Sequence, residues 1–288
     1  VSGRAQIGAL PDGRRHFLDG PIDLIVEAWG PHVEVGAAYA AAAARFATIL
    51  DELCAELPRL RAAAGPEPRG SIARRMVRAV TPFAAERFLT PMAAVAGAVA
   101  ETVLEAMTQA ADLDRAYVNN GGDIALHLGP RAKFAVGMVA RPDRPTLFGR
   151  VWIGEADAAR GLATSGWRGR SFSLGIADAV TVIAQTAADA DAAATLIANA
   201  VDLPGHPAIV RAPARSRDPQ SDLGERLVTL GVGPLRADET VAALESGARE
   251  ARVWRARGLI EAAALSLGGD TRVVGAEVVA KEPAHAIG

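Results

Sequence analysis

The sequence predicts an α+β fold in which an antiparallel sheet packs with helices, as one domain over residues 1–288. Three observations carry that reading. First, "DRAYVNNGGDIALHLGPRAKFAVGMVA" and "LFGRVWI" are short apolar or alternating runs separated by Asn, Gly and Pro turns with no helical stretch between them. That is an antiparallel meander, not a βαβ series. Second, Tyr39, Phe46, Ile49, Leu50, Leu53 and Leu57 recur at spacings of three, four and seven, one face of a long helix. Third, "MAAVAGAVAETVLEAM" and "ADADAAATLIANAV" are helical runs of small residues, which let a helix lie close to a neighbouring backbone or a ligand.

The elements follow in order. "AQIGALPDGRRHFLDGPIDLIVEAWG" opens the chain with a small β unit around a Pro-Asp-Gly turn. One amphipathic helix then runs from about Val33 to Ala63, with Cys54 expected on its buried side. Gly65, Pro66, Pro68 and Gly70 mark an exposed loop. "SIARRMVRAV" and "MAAVAGAVAETVLEAMTQA" give two helices, and the meander follows, interrupted by the loop "RPDRPT". Ile124, Leu126 and Leu128 alternate with Asp123, Ala125 and His127, a half-buried strand. "GLATSGWRGRSFSLG" reads as a Gly- and Ser-rich loop, "AVTVIA" as a strand, and "DADAAATLIANAV" as a helix. "VDLPGHPAIVRAPARSRDPQSDLG" reads as a long irregular connection. A strand at "ERLVTLGVG", helices from Arg236 to about Leu267 and a last strand "TRVVGAEVVA" complete the chain.

Composition narrows the function. With 50% hydrophobic and 22% charged residues the chain suits a globular protein with a sizeable core. A net charge of −2 offers no basic surface for a phosphate backbone, so nucleic acid is not an expected partner. A lone cysteine, Cys54, excludes an internal disulfide framework and a cysteine zinc site, and fits a reducing compartment. The N-terminal stretch shows no apolar signal-peptide region, and charged residues interrupt the apolar runs before they reach membrane length. A cytoplasmic protein is expected. GxGxxG after a strand, GxxxxGK[ST], GxSxG and HExxH are all missing from the sequence.

Three segments carry candidate chemistry. In "YVNNGGDIAL", Gly121 and Gly122 follow Asn119 and Asn120 and allow a tight turn or close approach of a ligand, with Asp123 at a strand start; alone, this is a hairpin signal. In "LATSGWRGRSFS", Thr164, Ser165, Ser171 and Ser173 offer hydroxyls and Gly166 and Gly169 offer backbone N–H groups. Arg168 and Arg170 add charge there, and Trp167 adds a flat surface. These parts suit a phosphate attached to a ring, though alone they read slightly better as a solvated loop. Asp191 and Thr195 lie one helical turn apart, as two oxygen ligands of a hard cation such as magnesium would. Taken alone, most such pairs are solvated helix surface. Asp189 falls on another face, as an exposed or N-terminal helix charge.

Taken together and in this order, "YVNNGGDIAL", "GLATSG" and "AVTVIAQTAADADAAAT" resemble the ApbE flavin transferase superfamily. Its members carry an Asn-x-Gly-Gly-Asp-Ile strand, an Ala-Thr-Ser-Gly loop and a Val-Thr-Val-Ile-Ala strand that leads to an Ala-Asp-Ala-x-x-Thr helix. The resemblance is specific over about Tyr117 to Val201. It extends more weakly to "TPMAAVAGAVAETVLEAM", which is similar to the family's glycine-rich helix start without its usual lysine, giving a core over 90–201. The whole chain looks more like a separate branch of ApbE-like proteins, of unassigned function, than like the transferases themselves.

The resemblance implies an ApbE-like fold and a site for FAD with its pyrophosphate beside magnesium. It implies that Asp191 and Thr195 ligate the ion, with a backbone carbonyl of Ala94 or Val95. It places Asn120, Gly121, Gly122 and Asp123 along the pocket and Thr164, Ser165, Gly166, Trp167, Arg168 and Arg170 around the cofactor. Arginines suit phosphate and an indole suits ring stacking. In the transferases the FAD pyrophosphate is cleaved and FMN passes to a protein threonine, or to water in some relatives. The family's His-x-x-Asp-Pro-x-Thr-Gly element is missing: the interval reads "WRGRSFSLGIADA", with Asp178 a partial substitute for the aspartate and nothing for the histidine.

The expected function is therefore a magnesium-dependent enzyme acting on a flavin dinucleotide or another phosphorylated metabolite. Two alternatives stand beside it: a non-catalytic flavin- or cofactor-binding protein, and a cofactor-biosynthesis enzyme with an adapted pocket. Expected ligands are magnesium and FAD. The expected partner is a small phosphorylated molecule, with neither nucleic acid nor membrane, and a homodimer stays open.

Overall fold

The computed structural model describes residues 4–141, 147–275 and 279–280. Its strands are β1 (Gln6–Ala9), β2 (Arg15–Asp19), β3 (Ile22–Trp29), β4 (Arg115–Asn120), β5 (Asp123–Leu128), β6 (Lys133–Val139) and β7 (Leu147–Gly154). They continue with β8 (Gly161–Ser165), β9 (Ala179–Ala184), β10 (Ile209–Pro213), β11 (Leu227–Val232), β12 (Ala262–Leu267), β13 (Asp270–Val274) and β14 (Val279–Ala280). The helices are α1 (His32–Ala55), α2 (Leu57–Leu60), α3 (Ser71–Ala84), α4 (Val95–Ala110), α5 (Ala187–Ala200) and α6 (Ala237–Ala256). Mixed helices and predominantly antiparallel strands make this an α+β protein, as the sequence predicts. The chain forms two compact units, one of Val1–Ala132, Ala158–Ala163 and Ile183–Ala193, the other of Lys133–Asp157, Thr164–Val182 and Ala194–Gly288.

In the first unit the strand order is β1-β2-β3-β4-β5-β8, each pair antiparallel. Along β3 burial alternates strictly, turning Ile22, Leu24, Val26 and Ala28 inward. Helix α1 answers with a stripe of Ala38, Ala42, Phe46, Ile49 and Leu53, and Phe46 meets Phe17 of β2 at 5.4 Å between ring centroids. Helix α4 packs on α1, β4 and β5, and its Val99, Val103 and Met107 are buried. Among the described residues α1 is the one helix long and apolar enough, by length and composition, to cross a membrane, with Arg45 interrupting its apolar run.

In the second unit β9, β12 and β13 are neighbours, and α6 covers β12 and β13 with Leu244, Gly247, Ala251 and Trp254 on its buried side. Two small sheets complete it: β14-β7-β6 and the pair β10-β11.

Several elements differ from the sequence reading, each for a physical reason. The long first helix stops at Ala55 instead of running to Ala63. Pro58, which has no N–H to donate, sits in the following short turn, and Glu56 turns back to accept the Arg69 and Gly70 N–H groups at 2.8 and 2.5 Å. Cys54 is exposed, because it lies about 100° around the helix from buried Leu53. Pro68, in the loop after it, is buried.

The meander breaks after β5, whose other neighbour is β8, while β6 and β7 belong to a separate sheet. Gly161–Ser165 is thus a strand rather than loop, paired through Ile124↔Leu162. The irregular connection after α5 contains β10, antiparallel to β11. Ala262–Leu267 is strand rather than helix; all six residues are buried, so no alternation marks them in the sequence. The final run divides at Gly275, whose φ of 77° ends β13. Most of "RPDRPT", and residues 276–278 of the last run, lie outside the described residues.

Candidate functional site

The first unit builds a carboxylate cradle. Thr90 and Pro91 start a 3-10 turn, Pro91–Ala94, that ends at buried Ala94 and delivers the chain into α4. The first N–H groups of α4 have no partner within their own helix. Those of Ala96 and Gly97 donate to Oδ2 of Asp191 on α5, at 3.1 and 3.0 Å. Gly97 makes the approach possible: a Cβ there would lie 2.2 Å from the carbonyl oxygen of Ala187. Buried Asn120, at the end of β4, donates from Nδ2 to the Ala96 carbonyl at 3.2 Å and fixes the same turn from the sheet side.

The β4–β5 hairpin closes on Gly121 and Gly122 with φ of 66° and 113°, positions that side chains rarely adopt. The Asn119 side chain accepts the Gly122 N–H at 2.8 Å. Asp123 begins β5, opposite Asn120 in register. The sequence signal "NNGGD" is therefore both a hairpin and the support for the cradle.

Asp191 stands in an unusual electrostatic position. Oδ2 carries both hydrogen bonds, and Oδ1 makes none among the described residues. Burial pushes the carboxyl up from 3.8 to about 7; the two backbone N–H groups oppose that rise, and neighbouring Glu101 adds to it. No lysine or arginine pairs with Asp191 among the described residues, and no group of three His, Cys, Asp or Glu forms a metal cluster there.

Glu101 on α4, by contrast, is balanced. Its Oε1 accepts the Ala188 N–H at the start of α5 at 2.6 Å, and its Oε2 meets Arg75 Nε of α3 at 3.2 Å. Burial raises its pKa, with the Ala188 N–H and Arg75 working against the rise. Asp189 is half-buried rather than exposed, and burial raises its pKa too, against a Thr186 hydrogen bond and the charge of Arg78. Sequence reasoning missed Glu101 and Arg75. The available signal is a lone acid after a run of small residues in "AAVAGAVAE".

The second unit holds the Gly/Ser segment. Thr164 Oγ1 lies 2.9 Å from Thr181 Oγ1. Gly166 has φ 151° and would clash with the Asp178 carbonyl, 2.6 Å away, if it bore a Cβ. Trp167 N–H donates to the Ala177 carbonyl at 3.0 Å. Arg168 is not a free phosphate clamp: its Nε donates to Oδ1 of buried Asp178 at 2.5 Å, and its guanidinium covers one face of the Trp167 ring at 4.4 Å. Oδ2 of Asp178 accepts the Gly268 N–H at 2.8 Å. The Trp167 indole N–H is buried and has no acceptor among the described residues. Ser165 is half-buried, and Gly169, Arg170 and Ser171 are exposed. Thr195 follows Asp191 by one turn of the continuous helix α5 and is half-buried.

A family model described as "AbpE bacteria" matches residues 7–273. A UPF0280 protein of Methanopyrus kandleri is 42% identical over 129 residues, which cover 44% of this chain and 48% of that protein. A UPF0280 protein of Methanosarcina acetivorans is 37% identical over 139 residues, covering 48% and 52%. One from Methanoregula boonei is 33% identical over 165 residues, covering 56% and 69%. The chain spans about half the length of the first of these relatives. Among solved structures, the apo crystal structure of Pseudomonas stutzeri flavinyl transferase ApbE aligns over 96% of this chain and 97% of its own, at 16% identity and a TM-score of 0.48.

Proposed function

We infer the function from one premise: this chain belongs to the bacterial AbpE family. We propose a magnesium-dependent enzyme that acts on a flavin dinucleotide or another phosphorylated metabolite, in the cytoplasm. The observation that carries the proposal is Asp191. Its carboxylate is desolvated, anchored through one oxygen by two backbone N–H groups, and lacks a cationic partner among the described residues. A charge left in that state favours a bound cation. The donor set fits magnesium: a carboxylate, the Thr195 hydroxyl one turn on, and the Ala94 or Val95 carbonyl where α4 begins are all hard oxygen ligands.

Bound there, magnesium would neutralise charge on phosphoryl oxygens as a Lewis acid. The protein's own part is positioning. Asn120 holds the start of α4, and the Gly121–Gly122 turn, with Asp123 beside it, closes the hairpin that carries Asn120. Within the second unit, the hydroxyls of Thr164 and Ser165, the Gly166 backbone and exposed Arg170 are groups of the kind that bind phosphate, and the Trp167 indole N–H is a donor without an acceptor among the described residues. Arg168 orients Trp167.

Asp178 favours hydrolysis or simple retention over transfer to a protein. It is committed to Arg168 and the Gly268 N–H, so it is poorly placed to act as the base that a transfer needs, and no histidine stands in its interval. The same observation supports the second reading, a flavin-binding protein without chemistry. Incubation of the full chain with FAD and magnesium, followed by chromatography, separates them. Water adding across the pyrophosphate yields FMN and AMP and establishes the enzyme. Intact FAD retained by the protein establishes the carrier. FAD neither bound nor cleaved, with or without magnesium, sinks the flavin reading.

A further inference from the structure

Helices α4 and α5 exchange carboxylates. Asp191 of α5 binds the free N–H groups at the start of α4, those of Ala96 and Gly97. Glu101 of α4 binds the free Ala188 N–H at the start of α5. Each helix thus satisfies the other's first turn, where unpaired donors and the positive end of the dipole attract an acid. Between the two crossings the backbones touch, with Gly97 against Ala187.

The two carboxylates differ in charge balance. Glu101 is held by Arg75, which reaches it from α3 at 3.2 Å and also donates to Thr102 Oγ1 at 3.0 Å and Glu105 Oε2 at 2.6 Å. Asp191 has no such cation. Arg75 therefore neutralises the acid that grips the start of α5 and leaves the other acid uncompensated.

We propose that Glu101, fixed by Arg75, is a positioning residue for Asp191. It locks the first turn of α5 so that Asp191, one turn further on, keeps Oδ2 on α4 and leaves Oδ1 for a cation. The argument is mechanical. Asp191 follows Ala188 by three residues, so any rotation or slip of the first turn of α5 displaces its carboxylate. Gly97 sets the separation of the helices, and Glu101 sets the rotation of α5. This inference rests on the reading of Asp191 as a cation ligand.

The test is calorimetric titration of Mn²⁺, as a probe for magnesium, into the full chain at a temperature well below each variant's Tm. Glu101→Ala should weaken Mn²⁺ binding about tenfold, the low end for a group that supports a metal ligand from behind. Glu101→Gln keeps an oxygen for the Ala188 N–H and should recover most of that loss. Glu105→Gln removes only the outer contact of Arg75 and should bind as wild type. A helix cap and nothing more would lower Tm in Glu101→Ala while leaving the affinity of the folded chain unchanged, and that result overturns the proposal. Equal losses in Glu101→Gln and Glu101→Ala would assign the effect to charge and also overturn it. If Glu101→Ala does not fold, the comparison of Glu101→Gln with Glu105→Gln decides, and a Gln variant as weak as Asp191→Asn counts against positioning. Failure of the underlying cation reading looks different: wild type would not bind Mn²⁺, or Asp191→Asn would bind it as well as wild type does.

Discussion

Asp178 and Asp191 are acids in similar shells with opposite outcomes. Asp178, in the second unit, accepts one backbone N–H on one oxygen and an arginine on the other. Asp191, in the first, accepts two backbone N–H groups on one oxygen and nothing on the other among the described residues. The first is a closed ion pair that ties the Gly/Ser segment to the turn at Gly268. The second is an open valence. A buried charge that is fully paired reads as structure, whereas one left half-paired reads as a site. The same residue type therefore stands in two different environments, set by whether an arginine reaches it.

The comparison can be broken in three places. The largest expected effect is on chemistry: Asp191→Asn should reduce any magnesium-dependent turnover by at least about a hundredfold, since a first ligand should matter more than the groups behind it. Steady-state assays across magnesium concentrations measure this, and the variant should stay folded. The largest effect on stability belongs to the other acid. Arg168→Ala leaves buried Asp178 without its partner and should cost about 3 kcal/mol in urea denaturation, while the double variant Arg168→Ala with Asp178→Ala should recover part of that. Gly97→Ala places a methyl group into the Ala187 carbonyl and should cost about 3 kcal/mol as well, with weaker cation binding, because the helices must separate.

A pH series sharpens the contrast. The folded-state pKa of Asp191, about 7, is above its ordinary 3.8. The folded state thus prefers this acid protonated, and its contribution to stability is full below pH 3.8 and lost as pH rises toward 7. Without divalent cations, Asp191→Asn should therefore gain in Tm relative to wild type as pH rises from 4.5 to 7.5, and magnesium should close the gap at the upper end. A constant difference across the series would contradict the open-valence description. The smallest effect is expected at Cys54→Ser: the thiol is exposed, so stability should stay within about 0.5 kcal/mol and thiol reagents should label the folded protein readily.

Much of the cradle was legible in the sequence because glycines and amides mark backbone constraints. "NNGGD" predicts the hairpin that carries Asn120 and Asp123, and the small residues of α4 predict the close approach that Gly97 makes to α5. Spacing plus the company of the other motifs singles out Asp191 and Thr195 as candidates. What stayed hidden depends on contacts distant in sequence. Arg75 meets Glu101 from 26 residues away, and no local pattern announces that. Arg168 looked like a phosphate clamp because Asp178, ten residues on, is not on the same element. Sheet order was hidden for the same reason: β5 turns to β8 across an excursion that includes β6 and β7. Strand β12 escaped because burial on every side erases the alternation that identifies a half-buried strand.

The most direct test is calorimetric titration of FAD into the full chain, with and without magnesium, for wild type and Asp191→Asn. The account predicts that magnesium tightens FAD binding to the wild-type chain and does nothing for the variant. Equal tightening in both proteins, or wild-type binding indifferent to magnesium, would contradict the assignment of Asp191 as the cation ligand.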